Sequence, residues 1–144
     1  KERVARRLAE HVPEKEGARE LISFFHEKGW PLAIGSSSPA QQIRANLSVT
    51  GFLPFFAAIA SGDEVQRGKP APDIFLLAAR KLGASPKDCF VFEDSPNGIL
   101  AAYAAGMKPV MVPDLMPATE DIRKKCFALF HTLSEARLFF MERL

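Results

Sequence analysis

The stretch Val91-Phe92-Glu93-Asp94-Ser95-Pro96-Asn97-Gly98 constrains this chain more than any other. The apolar run from Cys89 to Phe92 has the length and composition of a short buried strand. Two adjacent carboxylates, Glu93 and Asp94, stand where that strand should stop. Ser95 then offers an N-cap and Pro96 a first helical residue, so a helix begins at once. Strand, paired acids and helix in direct succession point to a parallel α/β sheet, whose ligands bind beyond the carboxyl ends of the strands. Neighbouring carboxylates raise one another's pKa unless a cation lies between them. Mg²⁺ is commonly held by one or two such carboxylates, with phosphate oxygens completing its shell. The acids also suit a plain helix cap, since the dipole favours negative charge there. This stretch alone leaves both readings open.

The rest of the chain repeats the strand-then-helix pattern. Ala18, Leu21, Ile22 and Phe25 recur at i, i+3, i+4 and i+7, which predicts a helix closed at Gly29. A strand is expected over 31–35. Ser36-Ser37-Ser38-Pro39 follows it, and Gln41 stands three residues after Ser38, a capping-box pattern with proline at the first helical position. Backbone N–H groups converging on such a turn make an anion site, to which Ser36 and Ser37 can add hydroxyls; a plain serine-rich cap is the alternative. A helix is expected from about 39 to 48, then an apolar strand over 55–60 with the loop Ser61-Gly62-Asp63-Glu64.

In Arg67-Gly68-Lys69-Pro70-Ala71-Pro72-Asp73 two prolines bracket Ala71, which stiffens the loop that carries Lys69. The following helix buries Ile74, Leu77, Ala78 and Leu82 and closes at Gly83. The helix after Ser95 should turn Ile99, Ala102 and Tyr103 inward and end at Gly106. Further strands are expected over 109–112 and 127–130, and helices over 118–125 and 134–141. Phe139, Phe140 and Met141 are read as packing on the sheet. Residues 1–11 alternate charges with Val4, Ala5, Leu8 and Ala9, a helical stripe with a narrow apolar face, and Pro13 ends it.

Composition excludes several classes. In 144 residues, 47% are apolar and 25% charged, ordinary for one globular domain with a real core. A formal charge of +2 makes no electrostatic case for nucleic acid or for a membrane surface. The basic cluster Lys1, Arg3, Arg6 and Arg7 has no interleaved aromatics to stack on bases, so it reads as a solvated face. Cys89 and Cys126 lack metal-ligand spacing and read as buried free thiols. With no signal peptide and no long apolar span, a cytoplasmic protein is expected.

Three motifs stand in one order: Ser36 after a strand, Lys69 in R-G-K-P-A-P-D-I-F, and Glu93-Asp94 in V-F-E-D-S-P-N-G-I. Together they resemble the haloacid dehalogenase superfamily, in particular its β-phosphoglucomutase-like and pseudouridine 5′-phosphatase-like branch. The resemblance runs from about Gly17 to the end. It implies a Rossmann-like, doubly wound, mainly parallel α/β sheet and a Mg²⁺-dependent phosphomonoester hydrolase of a small phosphorylated metabolite, working through an aspartyl-phosphate. It further implies that Ser36 donates its hydroxyl to the transferring phosphoryl group, joined by the backbone N–H of Ser37. Lys69 neutralises phosphate charge, Asp94 ligates Mg²⁺, and Glu93 binds the metal or its water shell. Arg67 and Asn97 would face the same crevice, within reach of the leaving group.

One part of the family pattern is missing: no D-x-D motif, the source of the family's nucleophile and general acid/base, occurs in these residues. In the family that motif ends the first strand and a helical cap domain follows. Residues 1–13 are therefore read as the last helix of a cap, and 14–144 as the α/β core without its first strand. That strand would lie centrally, between those at 32–35 and 89–92. Left empty, its place would bury unpaired backbone groups at about 1–3 kcal/mol each. The expectation is a shortened chain, or another segment filling the gap, and an inactive chain unless so supplemented.

A phosphomutase is the alternative enzyme, since cap and general acid decide between the two. A phospho-receiver domain carries similar groups, but in the order acid pair, phosphorylated aspartate, Ser/Thr, Lys. The order here, Ser36, Lys69, Glu93-Asp94, opposes that reading. A non-catalytic, partner-binding fragment would account for the missing nucleophile but not for the three motifs that remain.

Overall fold

A computed structural model of the chain describes the backbone of residues 5–8 and residues 16–112 and 118–143 in full. Among the described residues six parallel strands form one sheet in the order β3-β2-β1-β4-β5-β6. They are β1 (Ala5–Leu8), β2 (Leu32–Gly35), β3 (Ala58–Ala60), β4 (Cys89–Glu93), β5 (Lys108–Met111) and β6 (Ala128–Leu129). Between them run α1 (Ala18–Glu27), α2 (Ala40–Thr50), α3 (Asp73–Leu82), α4 (Pro96–Ala104) and α5 (Glu120–Lys125), and α6 (Leu133–Arg143) follows β6. This is the doubly wound architecture expected from the sequence.

The period of two along each strand assigns the layers. Leu32 and Ile34 of β2, with Phe90 and Phe92 of β4, share a core with α1, α2 and α6. Ala33, Cys89 and Val91 pack with α3 and α4. A smaller group, Ile99, Met111 and Ile122, seats α5. Phe25 of α1 centres the first layer, its ring 5.8 Å from Phe92 and 5.5 Å from Phe140. The four apolar positions read in α1 are all buried, each worth roughly 1.5–3 kcal/mol for a large side chain. Glycines at positive φ end these helices: Gly29, Gly51, Gly83 and Gly106.

The structure departs from the sequence reading at identifiable places. Ala5–Leu8, read as part of a cap helix, is a strand, and it occupies the central place between β2 and β4. Arg6, Arg7 and Leu8 pair with Leu32, Ala33 and Ile34 on one side; Ala5 to Leu8 pair with Cys89 to Phe92 on the other. The gap is thus filled by the chain itself. The physical reason is the ladder: two buried strand edges offer backbone partners that outweigh a weak helical stripe. The remainder of the reading over 1–13 lies outside the described residues.

The capping box read at Ser38 and Gln41 is not formed. Pro39 is the N-cap of α2, without a side-chain cap, and the Ser38 N–H instead donates to Ser36 Oγ at 3.1 Å. The run at 55–60 splits into a 3₁₀ turn, Leu53–Phe55, and β3. Tyr103 and Met141, expected inward, are exposed. A cation, Lys125, lies over the Tyr103 ring. Cys89 is buried and Cys126 half-buried, and their thiols donate to Ser85 O and Ile122 O. No helix among the described residues is long and apolar enough to cross a membrane.

The loop after β3 is fastened to α3. Lys81 Nζ donates to Ile59 O at 2.7 Å and to Glu64 Oε2 at 2.6 Å. The Lys81 hydrogen bond holds the Glu64 carboxyl down at about 2, below its ordinary 4.5. A lowered carboxyl contributes stability above its unfolded-state value, and that contribution is lost as pH falls through the folded value. Stability should therefore decline from about pH 4.5 toward pH 2 on this account. Both side chains are about one-third exposed, so solvent screening keeps the effect below about 1 kcal/mol. Urea titrations between pH 3 and 6 should show a shallower acid slope for Glu64→Gln than for the parent.

Candidate functional site

The chain winds outward from β1 through β2 to β3, then returns to start β4 on the other side. The strand order therefore reverses between β1 and β4, and the crevice lies beyond their carboxyl ends. Register sets what lines it. Leu8 pairs with Ile34 on one side and with Phe92 on the other. Ser36 and Asp94 thus stand level, two residues past those partners, on strands two apart. At one strand spacing per step they are roughly 10 Å from each other.

The Ser36 turn is rigid. Ser36 is buried, its N–H donates to Ala60 O at 3.0 Å, and its Oγ accepts from Ser38 N. Gly62 N–H donates to Ser38 O at 3.0 Å, clamping the loop after β3 onto this turn. A Cβ on Gly62 would lie 2.0 Å from Ser37 O, so only glycine permits the approach. Ser61 and Glu64 fix that second loop through a capping box, with Ser61 N donating to Glu64 Oε1 at 2.9 Å. The S-x-x-E spacing of Ser61 and Glu64 is the sequence signal for this cap. Ser37 is exposed at the crevice rim.

Lys69 and Glu93 form the buried charged pair of the site. Lys69 Nζ donates to Glu93 Oε2 at 2.8 Å, with the two side chains 12% and 1% exposed. The ammonium also lies 5.0 Å from the centre of the Phe75 ring. Ser95 Oγ donates to Glu93 Oε1 at 3.3 Å, so both carboxylate oxygens have partners. Burial raises the Glu93 carboxyl above its ordinary value, Lys69 opposes that rise, and Asp94 adds to it. The cation that balances Glu93 here is thus a lysine from the third motif. The Lys69–Pro70 peptide bond is cis.

Gly98 makes this packing possible. A Cβ there would fall 1.9 Å from Glu93 Cδ, so the first turn of α4 rests directly on the carboxylate. Ser95 caps the same turn as read, its Oγ accepting from Gly98 N at 3.2 Å. Ser95→Ala removes that cap and should cost about 1 kcal/mol in chemical denaturation.

The remaining candidates lie at the periphery. Arg67 is 72% exposed and pairs with Asp73 at the start of α3, at 2.9 Å. Asn97 is exposed in the first turn of α4. Asp94 is half-buried just past β4. Among the described residues no group of three histidine, cysteine, aspartate or glutamate side chains is placed to hold a metal ion. Asp94 is nonetheless a hard oxygen donor at the crevice, and one carboxylate with phosphate oxygens and water is an ordinary Mg²⁺ set.

The serine turn, the buried lysine–glutamate pair and the flanking aspartate thus stand together at the switch point of a doubly wound sheet, the fold of a family of α/β hydrolases. Residues 1–106 match the family model described as haloacid dehalogenase-like hydrolase, and the chain belongs to that family. It is 43% identical over 123 residues to the bifunctional riboflavin kinase/FMN phosphatase of Arabidopsis thaliana, covering 85% of this chain and 32% of that protein. It is 44% identical over 106 residues to a probable pseudouridine-5′-phosphatase of Drosophila melanogaster, covering 68% and 45%. Among solved structures, a HAD family hydrolase of Deinococcus radiodurans with bound phosphate and sodium superposes with a TM-score of 0.78 at 31% identity. That match covers 88% of this chain and 58% of the other. The chain spans about a third to a half of the length of these two curated relatives.

Proposed function

We propose that the chain is the phosphate-binding core of a phosphomonoesterase acting, in the cytoplasm, on a small phosphorylated metabolite such as a sugar phosphate or a nucleotide-like ester. The Lys69–Glu93 pair carries this reading. A cation held by a buried carboxylate at the mouth of the switch-point crevice is a preorganised partner for phosphoryl oxygens. Ser36, fixed by Ala60 and Ser38, sits on the β2 side of that crevice. Its hydroxyl and the Ser37 N–H are the donors assigned to the same oxygens. Asp94 is the described carboxylate that would hold Mg²⁺, which when bound supplies further neutralisation of phosphate charge. Glu93, which accepts from Lys69 through Oε2 and so anchors that ammonium, keeps lone pairs on both oxygens and is the acid assigned to the ion or its water shell beside Asp94. Arg67 and Asn97, exposed at the rim, are the assigned contacts to the leaving group.

Hydrolysis through an aspartyl-phosphate needs a nucleophilic aspartate, and these 144 residues contain no D-x-D motif. This chain alone is therefore expected to be inactive, while a form carrying that motif is the phosphatase. Phosphate release from a panel of sugar phosphates and nucleotides, with Mg²⁺ and with EDTA, tests both statements. No turnover is expected from the 144-residue chain. Magnesium-dependent turnover by it would place a nucleophile within these residues and overturn the assignment. A phosphomutase remains the second reading, and transfer to a second hydroxyl without phosphate release would select it.

A further inference from the structure

We propose that the loop after β3 is a positioning device for the Ser36 turn: Gly62, braced by Glu64 and Lys81, sets the Ser37–Ser38 peptide plane and so aims the Ser36 hydroxyl at a phosphoryl oxygen.

The assignment rests on the phosphate reading of the crevice and extends it to residues outside the three motifs. A Cβ on Gly62 would collide with Ser37 O and lie 2.7 Å from Ser37 C, so the Ser37 carbonyl faces the Gly62 backbone directly. The Ser37–Ser38 bond is trans, and across a trans peptide the following N–H points the opposite way. That N–H belongs to Ser38, and it donates to Ser36 Oγ at 3.1 Å. A hydroxyl oxygen that accepts from an N–H turns its own proton elsewhere. The loop after β3 therefore fixes the direction of the Ser36 O–H through one peptide plane.

The loop is itself held at several points. Ser36 N–H donates to Ala60 O and Gly62 N–H to Ser38 O, both at 3.0 Å, which laces the turn to the loop. Ser61 is fully buried; its N–H donates to Glu64 Oε1 at 2.9 Å, and its hydroxyl is shared between Glu64 Oε1 and Asp63 Oδ1. Lys81 of α3 closes the brace, reaching Ile59 O at 2.7 Å and Glu64 Oε2 at 2.6 Å. The same helix carries Phe75, whose ring centre lies 5.0 Å from Lys69 Nζ. One helix thus steadies both the ammonium and, through the loop, the hydroxyl assigned to the same anion.

Exposure separates positioning from plain stability. The Lys81 and Glu64 side chains are 33% and 35% exposed, so their pair adds little to the stability of the whole fold. A purely structural pair would be nearly dispensable. A donor displaced by about 1 Å, in contrast, can lose about a hundredfold in effectiveness.

The test uses the 144-residue chain, inorganic phosphate with Mg²⁺, and amide NMR. In the parent, phosphate should shift the Ser36, Ser37 and Ser38 amides saturably. Gly62→Ala should weaken that binding about tenfold or more and speed exchange of the Ser38 amide to a similar degree. Lys81→Met keeps the stem; its melting temperature should stay within about 4 °C of the parent while phosphate binds about threefold or more weakly. Arg143→Met removes the cation of another exposed ion pair, with Glu142, and should leave phosphate affinity unchanged. Parental affinity in both Gly62→Ala and Lys81→Met would overturn the inference and leave the phosphate reading standing. Unchanged Ser38 exchange in Gly62→Ala would do the same. Should Gly62→Ala not fold, Lys81→Met decides alone, by its affinity at unchanged stability. A parent whose amides do not respond to phosphate would overturn the phosphate reading, and this assignment with it.

Discussion

Gly98→Ala is expected to destabilise the fold by about 2–4 kcal/mol, although alanine is the better helix former. In an exposed helix interior the same change would gain up to about 1 kcal/mol. Here the new methyl falls 1.9 Å from Glu93 Cδ and 2.0 Å from Oε1. The carboxylate is the far end of a side chain, so in open surroundings it would swing away. It is held by Lys69 at 2.8 Å on one oxygen and by Ser95 on the other, and it is 1% exposed. Moving it breaks a buried ion pair; keeping it lifts the first turn of α4 and the Ser95 cap. Urea denaturation measures the loss. Glu93→Ala/Gly98→Ala separates the causes, because it removes the group that the methyl strikes. The double variant should then be no less stable than Glu93→Ala alone. A double variant that loses the full additional cost would assign it to the α4 backbone instead.

What the sequence disclosed follows the range of the forces involved. The succession Phe92, Glu93, Asp94, Ser95, Pro96 was legible because a strand end, an N-cap and a first-turn proline act within a few residues. The helix over Ala18–Glu27 was legible from its stripe, and the layering followed from strand–helix alternation. Ala5–Leu8 was misread for the opposite reason. Its local pattern is weakly helical, and only the vacancy between β2 and β4, set by residues more than twenty positions away, makes it a strand. Tyr103 and Met141 were placed inward because their residue types are apolar, yet their helices turn those positions to solvent. Ser36, Lys69 and Asp94 are proposed from their motifs, whereas the contact of Gly98 with Glu93 and that of Gly62 with Ser37 have no signal in the sequence. A glycine's missing side chain shows its purpose only when a distant atom fills the space.

The buried pair itself gives the second large effect. Lys69→Met is expected to cost about 3–5 kcal/mol at pH 7, because it keeps much of the apolar stem and strands Glu93 in the core. The lost cation–π contact with Phe75 is the smaller part. The pH dependence identifies the charge as the cause. Glu93 already titrates above its ordinary 4.5 through burial, and Lys69 is what pulls it back. Without Lys69 the folded-state value rises further. A carboxyl raised in the folded state contributes stability that is present below its unfolded value and lost as pH rises through the folded one. The deficit of Lys69→Met should therefore be small near pH 4 and grow toward neutrality. Glu93→Gln provides the second check, since an amide carries no charge to strand. In a double-mutant cycle at pH 7, Lys69→Met in the Glu93→Gln background should cost at least about 2 kcal/mol less than in the parent. An unchanged cost across the cycle, flat with pH, would mean that Lys69 is held by its stem and Phe75 alone. The preorganised cation assigned to the phosphoryl oxygens would then have no anchor, because Glu93 is the acid that fixes its ammonium at the crevice.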